Sequence, residues 1–182
     1  MFHTPAITWT KLQAEKLQLP LIIKETEGKK EEELNDLKEA IKQAIEEHNI
    51  EGVVTGAVES IYQASRVQKI TDELGIECFN PLWQKDQMEL LNDLVTLGFE
   101  VIISGVAADP FDETWLGRKL DRHTIVQLEM FKEQLKLNPA GEGGEYESFV
   151  INSPDFKEGI KITKTRNIYA ERNGALIIEE VE

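Results

Sequence analysis

The chain has 182 residues, 34 acidic against 20 basic, for a formal net charge of −14, with 41% hydrophobic residues and one cysteine. A field of that sign repels a phosphate backbone, which argues against DNA as a partner and modestly favours cationic substrates, although backbone N–H groups and Mg²⁺ can still hold the phosphates of a nucleotide locally. No apolar run approaches the ~18 residues of a membrane span and no basic-then-apolar leader follows Met1, so the expected setting is the cytoplasm, without membrane association.

A body of this length buries roughly 70% of its unfolded surface and needs no disulfide staples. Cys78, without a CxxC partner, reads as a buried structural thiol.

In chain order, Thr4-Pro5 reads as an N-cap followed by proline at the first helical position, opening a helix over 6–18 that Pro20 ends. Leu21-Ile22-Ile23 reads as a short buried strand. Gly28-Lys29-Lys30 turns the chain into a helix starting near Glu31, with Leu34, Leu37, Ile41, Ala44 and Ile45 on one face and glutamates in its first turn. Residues 52–57 form a second strand ending in small residues. A helix over 60–74 stops at Gly75, and 76–81 form a third strand. Asp86 and Glu89 make a capping-box-like start for a helix ending at Gly98, and 99–104 form a fourth strand. Strand–helix alternation with continuous apolar strands predicts a parallel sheet covered on both faces. Beyond it come a helix over 121–136, a strand-like run at 148–151, and strands at 161–169 and 175–181 joined through Asn173-Gly174, a hairpin signal. The expected division is therefore an α/β domain over 1–104 and an α+β region over 105–182.

Several familiar catalytic devices are missing from the sequence: GxxxxGK[ST], HExxH, paired CxxC and GxSxG. His3, His48 and His123 are scattered; His48 reads as solvated and His123 as helix surface. Open α/β sheets bind ligands at strand ends, where Thr55-Gly56-Ala57 precedes Ser60 and a helix N-terminus. Small residues there let a phosphate or ribose approach backbone amides, and Tyr62, Gln63 and Arg66 can face the same crevice. The plain alternative is a strand–glycine–helix turn with no ligand. Pro81-Leu82-Trp83 ends the next strand, and Trp115-Leu116-Gly117-Arg118 follows the acidic turn holding Asp109, Asp112 and Glu113. Core packing is the ordinary explanation for either tryptophan.

The densest segment is Gly141-Glu142-Gly143-Gly144-Glu145-Tyr146-Glu147. Its glycines permit positive φ and close backbone approach, and its carboxylates repel one another unless a cation or N–H donors sit among them. It is either a working site or a flexible acidic loop leading into an edge strand. It is not a dinucleotide fingerprint, because the glycine spacing is wrong and a strand follows.

The order Gly56-Ala57, Tyr62-Gln63, Arg66-Val67, Pro81-Leu82-Trp83, Trp115-Leu116-Gly117-Arg118 and the segment from Gly141 to Glu147 resembles the diphthine–ammonia ligase (diphthamide synthetase) family of the N-type ATP pyrophosphatase superfamily. The resemblance runs over nearly the whole chain, and the Glu-Gly-Gly-Glu-Tyr-Glu string is its most specific element. It implies an α/β fold with an adenine nucleotide α-hydrolase-like (Rossmann-like) parallel sheet and a C-terminal α+β extension. It also implies a ligase that uses ATP with Mg²⁺ to adenylate the carboxylate of diphthine on translation elongation factor 2, after which ammonia (ammonium) displaces AMP to give diphthamide. Nucleotide binding would fall to Gly56, Ala57, Tyr62, Gln63 and Arg66. Substrate binding would fall to Trp83, Trp115, Arg118, Glu142, Gly143, Gly144, Glu145, Tyr146 and Glu147, with no protein metal site and no assigned catalytic residue.

For the acidic loop the resemblance suggests a hold on diphthine's trimethylammonium group, by the three glutamates together with the faces of Tyr146, Trp83 or Trp115. Mg²⁺ ligation and hydrogen bonding of the carboxylates to the loop's own N–H groups are the alternatives. One departure is large: the family's opening strand and its Ser-Gly-Gly-Lys-Asp-Ser pyrophosphate loop have no counterpart here, and the first residues resemble an internal family segment. The expectation is a sheet lacking its first strands, by a βαβ unit of roughly 30 residues or more, in a truncated chain or one completed by a separate N-terminal half or another copy. The competing functions are a binding module without ATP turnover and a nucleotide-binding protein of stress-protein type.

Overall fold

A computed structural model describes residues 6–26 and 33–182. The predicted Thr4-Pro5 cap, His3, and the turn and helix start at residues 28–32 lie outside the described residues. The chain divides into two compact units, one built from residues 21–85 and the other from residues 6–20 together with 86–182.

In the first unit, helix α2 (Glu33–His48) precedes strand β1 (Gly52–Val54), helix α3 (Ile61–Leu74) and strand β2 (Glu77–Phe79). The sequence dictates α3 at both ends. Ser60 caps it by accepting from the Gln63 N–H at 3.3 Å, and Gly75 at φ 71° ends it, where a side chain would be strained. Val67, Ile70 and Thr71 are its buried stripe, and Lys38 of α2 pairs with Glu73 of α3 at 2.6 Å. β1 and β2 pair in parallel, Val53 opposite Cys78, so β1–α3–β2 is a crossover unit. Cys78 is only partly buried and accepts from Asn80 Nδ2 at 3.8 Å.

The expected strand at Leu21-Ile22-Ile23 does not form. Apolar composition makes a strand only where a neighbour offers ladder hydrogen bonds, and no described residue pairs there. The parallel sheet therefore has two described strands, leaving Val54 70% and Phe79 62% exposed.

The second unit holds an antiparallel sheet of order β4-β3-β6-β5: β3 (Glu100–Val106), β4 (Tyr146–Asn152), β5 (Ile162–Ala170) and β6 (Asn173–Val181). β3 is the correction that moves the boundary. Its apolar run was expected in the parallel sheet, but it pairs antiparallel with β4 and β6, so the division falls at residue 85 rather than 104. Burial on both faces produces the same continuous run in either kind of sheet. Here the run reflects a core of Ile103, Phe111, Leu128 and Phe149.

Helix α4 (Gln87–Thr96) packs against helix α5 (Arg122–Leu135). Asp86 caps the first through the Glu89 N–H and Asp121 the second through the Thr124 N–H. A 3₁₀ turn (Ile7–Trp9) and helix α1 (Thr10–Leu17) join this unit too. Trp9 Nε1 donates to Ile178 O at 3.2 Å and Gln13 Nε2 to Val150 O at 2.8 Å.

The β5–β6 hairpin forms as expected but turns two residues early. Glu171 (φ 50°) and Arg172 (φ 70°) are the central residues, while Asn173 and Gly174 lie in β6. Gly174 serves packing instead: a Cβ there would lie 2.6 Å from Tyr169 Cδ2 and 3.1 Å from Leu116 Cδ1.

Candidate functional site

At the C-terminal ends of β1 and β2, backbone and side chains knit the turns together. The Thr55 N–H donates to Phe79 O at 3.0 Å, the Thr55 hydroxyl donates to Asn80 Oδ1, and the Ala57 N–H donates to Thr55 Oγ1 at 3.2 Å. The Gln84 N–H reaches Val58 O at 2.8 Å. Gly56 is exposed, with nothing within 4 Å of where a Cβ would stand, while Ala57 is buried beside it. An open glycine before a helix N-terminus is the kind of place where backbone amides can meet a phosphate.

Tyr62 and Arg66, one turn apart on α3, meet each other. The guanidinium lies 3.4 Å from the Tyr62 ring centroid and Nη1 donates to Tyr62 O at 3.3 Å. Gln63 spends its N–H on the helix cap. Trp83 is half-buried in the turn after β2, its N–H on Asn80 O at 3.1 Å.

In the other unit the glycine–glutamate loop is folded by its own glutamate. The Glu145 carboxylate accepts from the Asn138 N–H at 3.0 Å and Asn138 Nδ2 at 2.9 Å on one oxygen, and from the Gly143 N–H at 2.8 Å on the other. The glycines serve that arrangement. A Cβ at Gly143 would stand 2.6 Å from Glu145 Oε1, and Gly141 and Gly144 take φ 77° and 82°. From α4, Gln87 Oε1 accepts the Ala140 N–H at 3.0 Å and anchors the loop's base.

Tyr146 is buried, its hydroxyl donating to Pro139 O at 2.7 Å and its ring 5.4 Å from Phe111. Burial pushes that hydroxyl well above the ordinary tyrosine range, and the neighbouring Glu145 charge adds to the shift. Glu142 and Glu147 are half-exposed, Glu147 standing opposite Gly105 in the β3–β4 ladder.

Trp115 is 5% exposed, edge-on to Phe111 at 4.8 Å. The expectation that Tyr146 and Trp115 offer open ring faces to a bound trimethylammonium is therefore corrected: both rings are buried, and the cation on the Trp115 face is the chain's own Arg118. Arg118 lies over Trp115, its guanidinium carbon 4.4 Å from the ring centroid, and Arg118 Nε donates to Thr124 Oγ1 at 3.1 Å. His48 and His123 are exposed, as read from the sequence. No group of three metal-ligating side chains occurs among the described residues, and no described helix is long and apolar enough to cross a membrane.

Sequence reasoning missed Gln87, Asn138 and Thr124, the residues that hold the loop and the arginine. Asn138-Pro139 carried a turn signal; a polar residue beside a cap, such as Gln87, gives no cue to a contact more than fifty positions away.

One unit with a parallel crossover and an open glycine, and a second, antiparallel unit with a self-latched glycine–carboxylate loop, define a two-part α/β protein. The diphthamide synthase N-terminal domain matches residues 1–78 and the diphthamide synthase C-terminal domain matches residues 86–182. The chain belongs to the diphthamide synthase family. It is similar to a protein of Schizosaccharomyces pombe named diphthine–ammonia ligase, 41% identical over 133 residues, covering 72% of this chain and 22% of that relative. A Bos taurus protein of the same name is 33% identical over 172 residues, covering 88% of this chain and 64% of the relative. One from Mus musculus is 32% identical, covering 92% and 67%. The chain thus spans about a fifth of the first of these relatives and just under two thirds of the second.

Proposed function

We propose that this chain acts in diphthamide biosynthesis as an ATP-dependent ligase, amidating diphthine on translation elongation factor 2 with ammonia. The observation that carries the reading is the match of both diphthamide synthase domains, in order, along one chain whose relatives bear the ligase's name. In this reaction a carboxylate oxygen of diphthine attacks the α-phosphorus of ATP and pyrophosphate leaves. Ammonia nitrogen then attacks the acyl carbon, AMP departs with the carbon–oxygen bond, and the nitrogen loses a proton. The protein's share is alignment of the reactants and stabilisation of developing charge.

The first unit is the nucleotide side, an adenine nucleotide α-hydrolase-like sheet of the N-type ATP pyrophosphatase kind. Its support is the β1–α3–β2 crossover and the open strand end at Gly56 and Ala57, with Tyr62, Gln63 and Arg66 on the helix that follows. Mg²⁺ is carried mainly by the nucleotide's phosphates and water, which needs no all-protein cage. Pyrophosphate capture belongs to a loop of the family's Ser-Gly-Gly-Lys-Asp-Ser kind, which these 182 residues do not contain.

The second unit is the substrate side. Glu142 and Glu147 supply negative charge to diphthine's trimethylammonium, and Gly143, Gly144 and Glu145 the loop's shape, with Tyr146 and Trp115 supporting it from the core; Trp83, in the first unit, is a separate aromatic surface for substrate. Elongation factor 2 bearing diphthine is the protein partner, and the setting is cytoplasmic.

The test is AMP release with ammonium and diphthine-bearing elongation factor 2, from the chain alone and from the chain extended by a segment carrying the pyrophosphate loop. AMP that appears only with both substrates, in step with amide, supports the reading. A chain that prefers the diphthine-bearing factor yet releases no AMP in either form is a binding module.

A further inference from the structure

Arg118, like Arg66 on Tyr62, lies on an aromatic ring, and it is set up differently from Arg166 and Arg172. Arg166 pairs with Glu179 at 3.1 Å and Arg172 with Asp109, as expected in a chain with 34 acidic residues. Arg118 has no carboxylate partner among the described residues, yet its guanidinium is fixed. One face rests on Trp115, itself wedged against Phe111 and Phe131 at 4.8 and 5.7 Å. Its Nε is spent on Thr124 Oγ1, and that buried hydroxyl in turn donates to Lys119 O at 2.8 Å.

The backbone is clamped as well. The Ile103 N–H donates to Arg118 O at 2.9 Å, and the Gly117 N–H, at a φ of 80°, donates to Ile103 O at 2.8 Å. A guanidinium anchored at Nε and stacked on one face keeps the N–H groups of both terminal nitrogens side by side and pre-oriented. That is the fork that grips a carboxylate or phosphate with two parallel hydrogen bonds, at a reduced entropy cost.

We propose that Arg118 is an oxyanion-binding residue whose terminal nitrogens hold a phosphate or carboxylate oxygen pair of a reactant. The proposal rests on the reaction above only for the anion's source, which is the nucleotide's phosphate or the carboxylate that becomes the amide. In a chain of net charge −14 an anion needs such a fixed cation, since the surrounding field opposes its approach. The positive charge of the guanidinium itself rules out a cation-binding part for Arg118, unlike the glutamates of the loop.

The experiment is an NMR titration of the full chain, following the Arg118 Nε–H signal together with the backbone N–H of residue 118, which persists in the lysine variant, with inorganic phosphate in one arm and acetate in the other. A saturable shift with phosphate alone supports the nucleotide source, and one with acetate alone supports the carboxylate source. Arg118→Lys keeps the charge but loses the fork, and lowers affinity for the active anion roughly 10-fold. Thr124→Val frees Nε without touching the cation and lowers it about 3-fold, a readout independent of whether the lysine variant folds. No saturable shift with either anion, or unchanged affinity in Arg118→Lys, overturns the proposal. Anion binding at Arg118 without AMP release would retire the ligase reading and leave this one standing, while AMP release with a silent Arg118 would do the reverse.

Discussion

Glu145→Gln asks whether the loop's central carboxylate is a latch or a ligand. The native side chain accepts three N–H bonds, at 3.0 and 2.9 Å on one oxygen and 2.8 Å on the other. A glutamine best keeps its carbonyl oxygen toward the two Asn138 donors, which turns its NH₂ onto the Gly143 N–H. One charge-assisted bond is then lost and two donors face each other. Bonds to charged groups are worth about 1.5–3 kcal/mol, and water reaches this half-exposed loop, so about 2 kcal/mol is the expected loss of stability.

Urea unfolding of the second unit measures it. Trp9 and Trp115 report on that unit once Trp83 is replaced by phenylalanine, and an Asn138→Ala, Glu145→Gln cycle should show a coupling of about 1 kcal/mol or more. Unchanged stability with a selective loss of affinity for the diphthine-bearing factor would refute the latch. The carboxylate would then be turned toward substrate.

Gly143→Ala should fall with Glu145→Gln, because its Cβ would occupy space 2.6 Å from Glu145 Oε1, whereas Gly144→Ala meets open space and costs only its positive φ, about 1 kcal/mol; paired melting curves check the difference. The Tyr146 hydroxyl has its pKa raised in the fold, so the unfolded chain loses that proton first. Its contribution is complete below the ordinary tyrosine pKa and lost as pH rises past it, and Tyr146→Phe should abolish that alkaline slope while costing about 1–2 kcal/mol at neutral pH. Leu128→Ala, at a side chain with 0% exposure, should cost about 2–5 kcal/mol in urea unfolding, and a loss under 1 would contradict the packing described.

Local chemistry made the helices legible. Ser60 and Gly75 bracket α3, Asp86 opens α4 and Asp121 opens α5, each through a hydrogen bond or φ that depends on a few neighbouring residues. Partnering was not legible. Leu21-Ile22-Ile23 and the run from Val101 to Ile103 look alike as apolar triplets, yet one is unpaired coil and the other the buried centre of an antiparallel sheet. The hairpin was visible in Asn173-Gly174, but its turn uses Glu171 and Arg172 because Gly174 is claimed by close contact with Tyr169.

At the candidate site the glycine–glutamate loop announced itself by composition. What its carboxylate touches did not, since Asn138 and Gln87 become neighbours only after the chain has folded. Core packing, the ordinary explanation for Trp115, holds, and what the sequence did not show is that its face is the shelf on which Arg118 lies.

The unit that contains the last strand also contains the first described helix, so its body is assembled from two distant stretches of one message. Trp9 and Ile178 are separated by 169 positions. At translation speeds of about 5–20 residues per second, α1 waits on the order of ten to thirty seconds before its docking surface leaves the ribosome. During that interval Trp9 and Leu12 lack the core against which they pack in the folded unit. Residues 21–85, by contrast, form their unit from one continuous stretch, which emerges while synthesis continues. The amino-terminal helix is thus the last piece to be seated, and cleaving the chain at residue 85 would strand it on the wrong fragment.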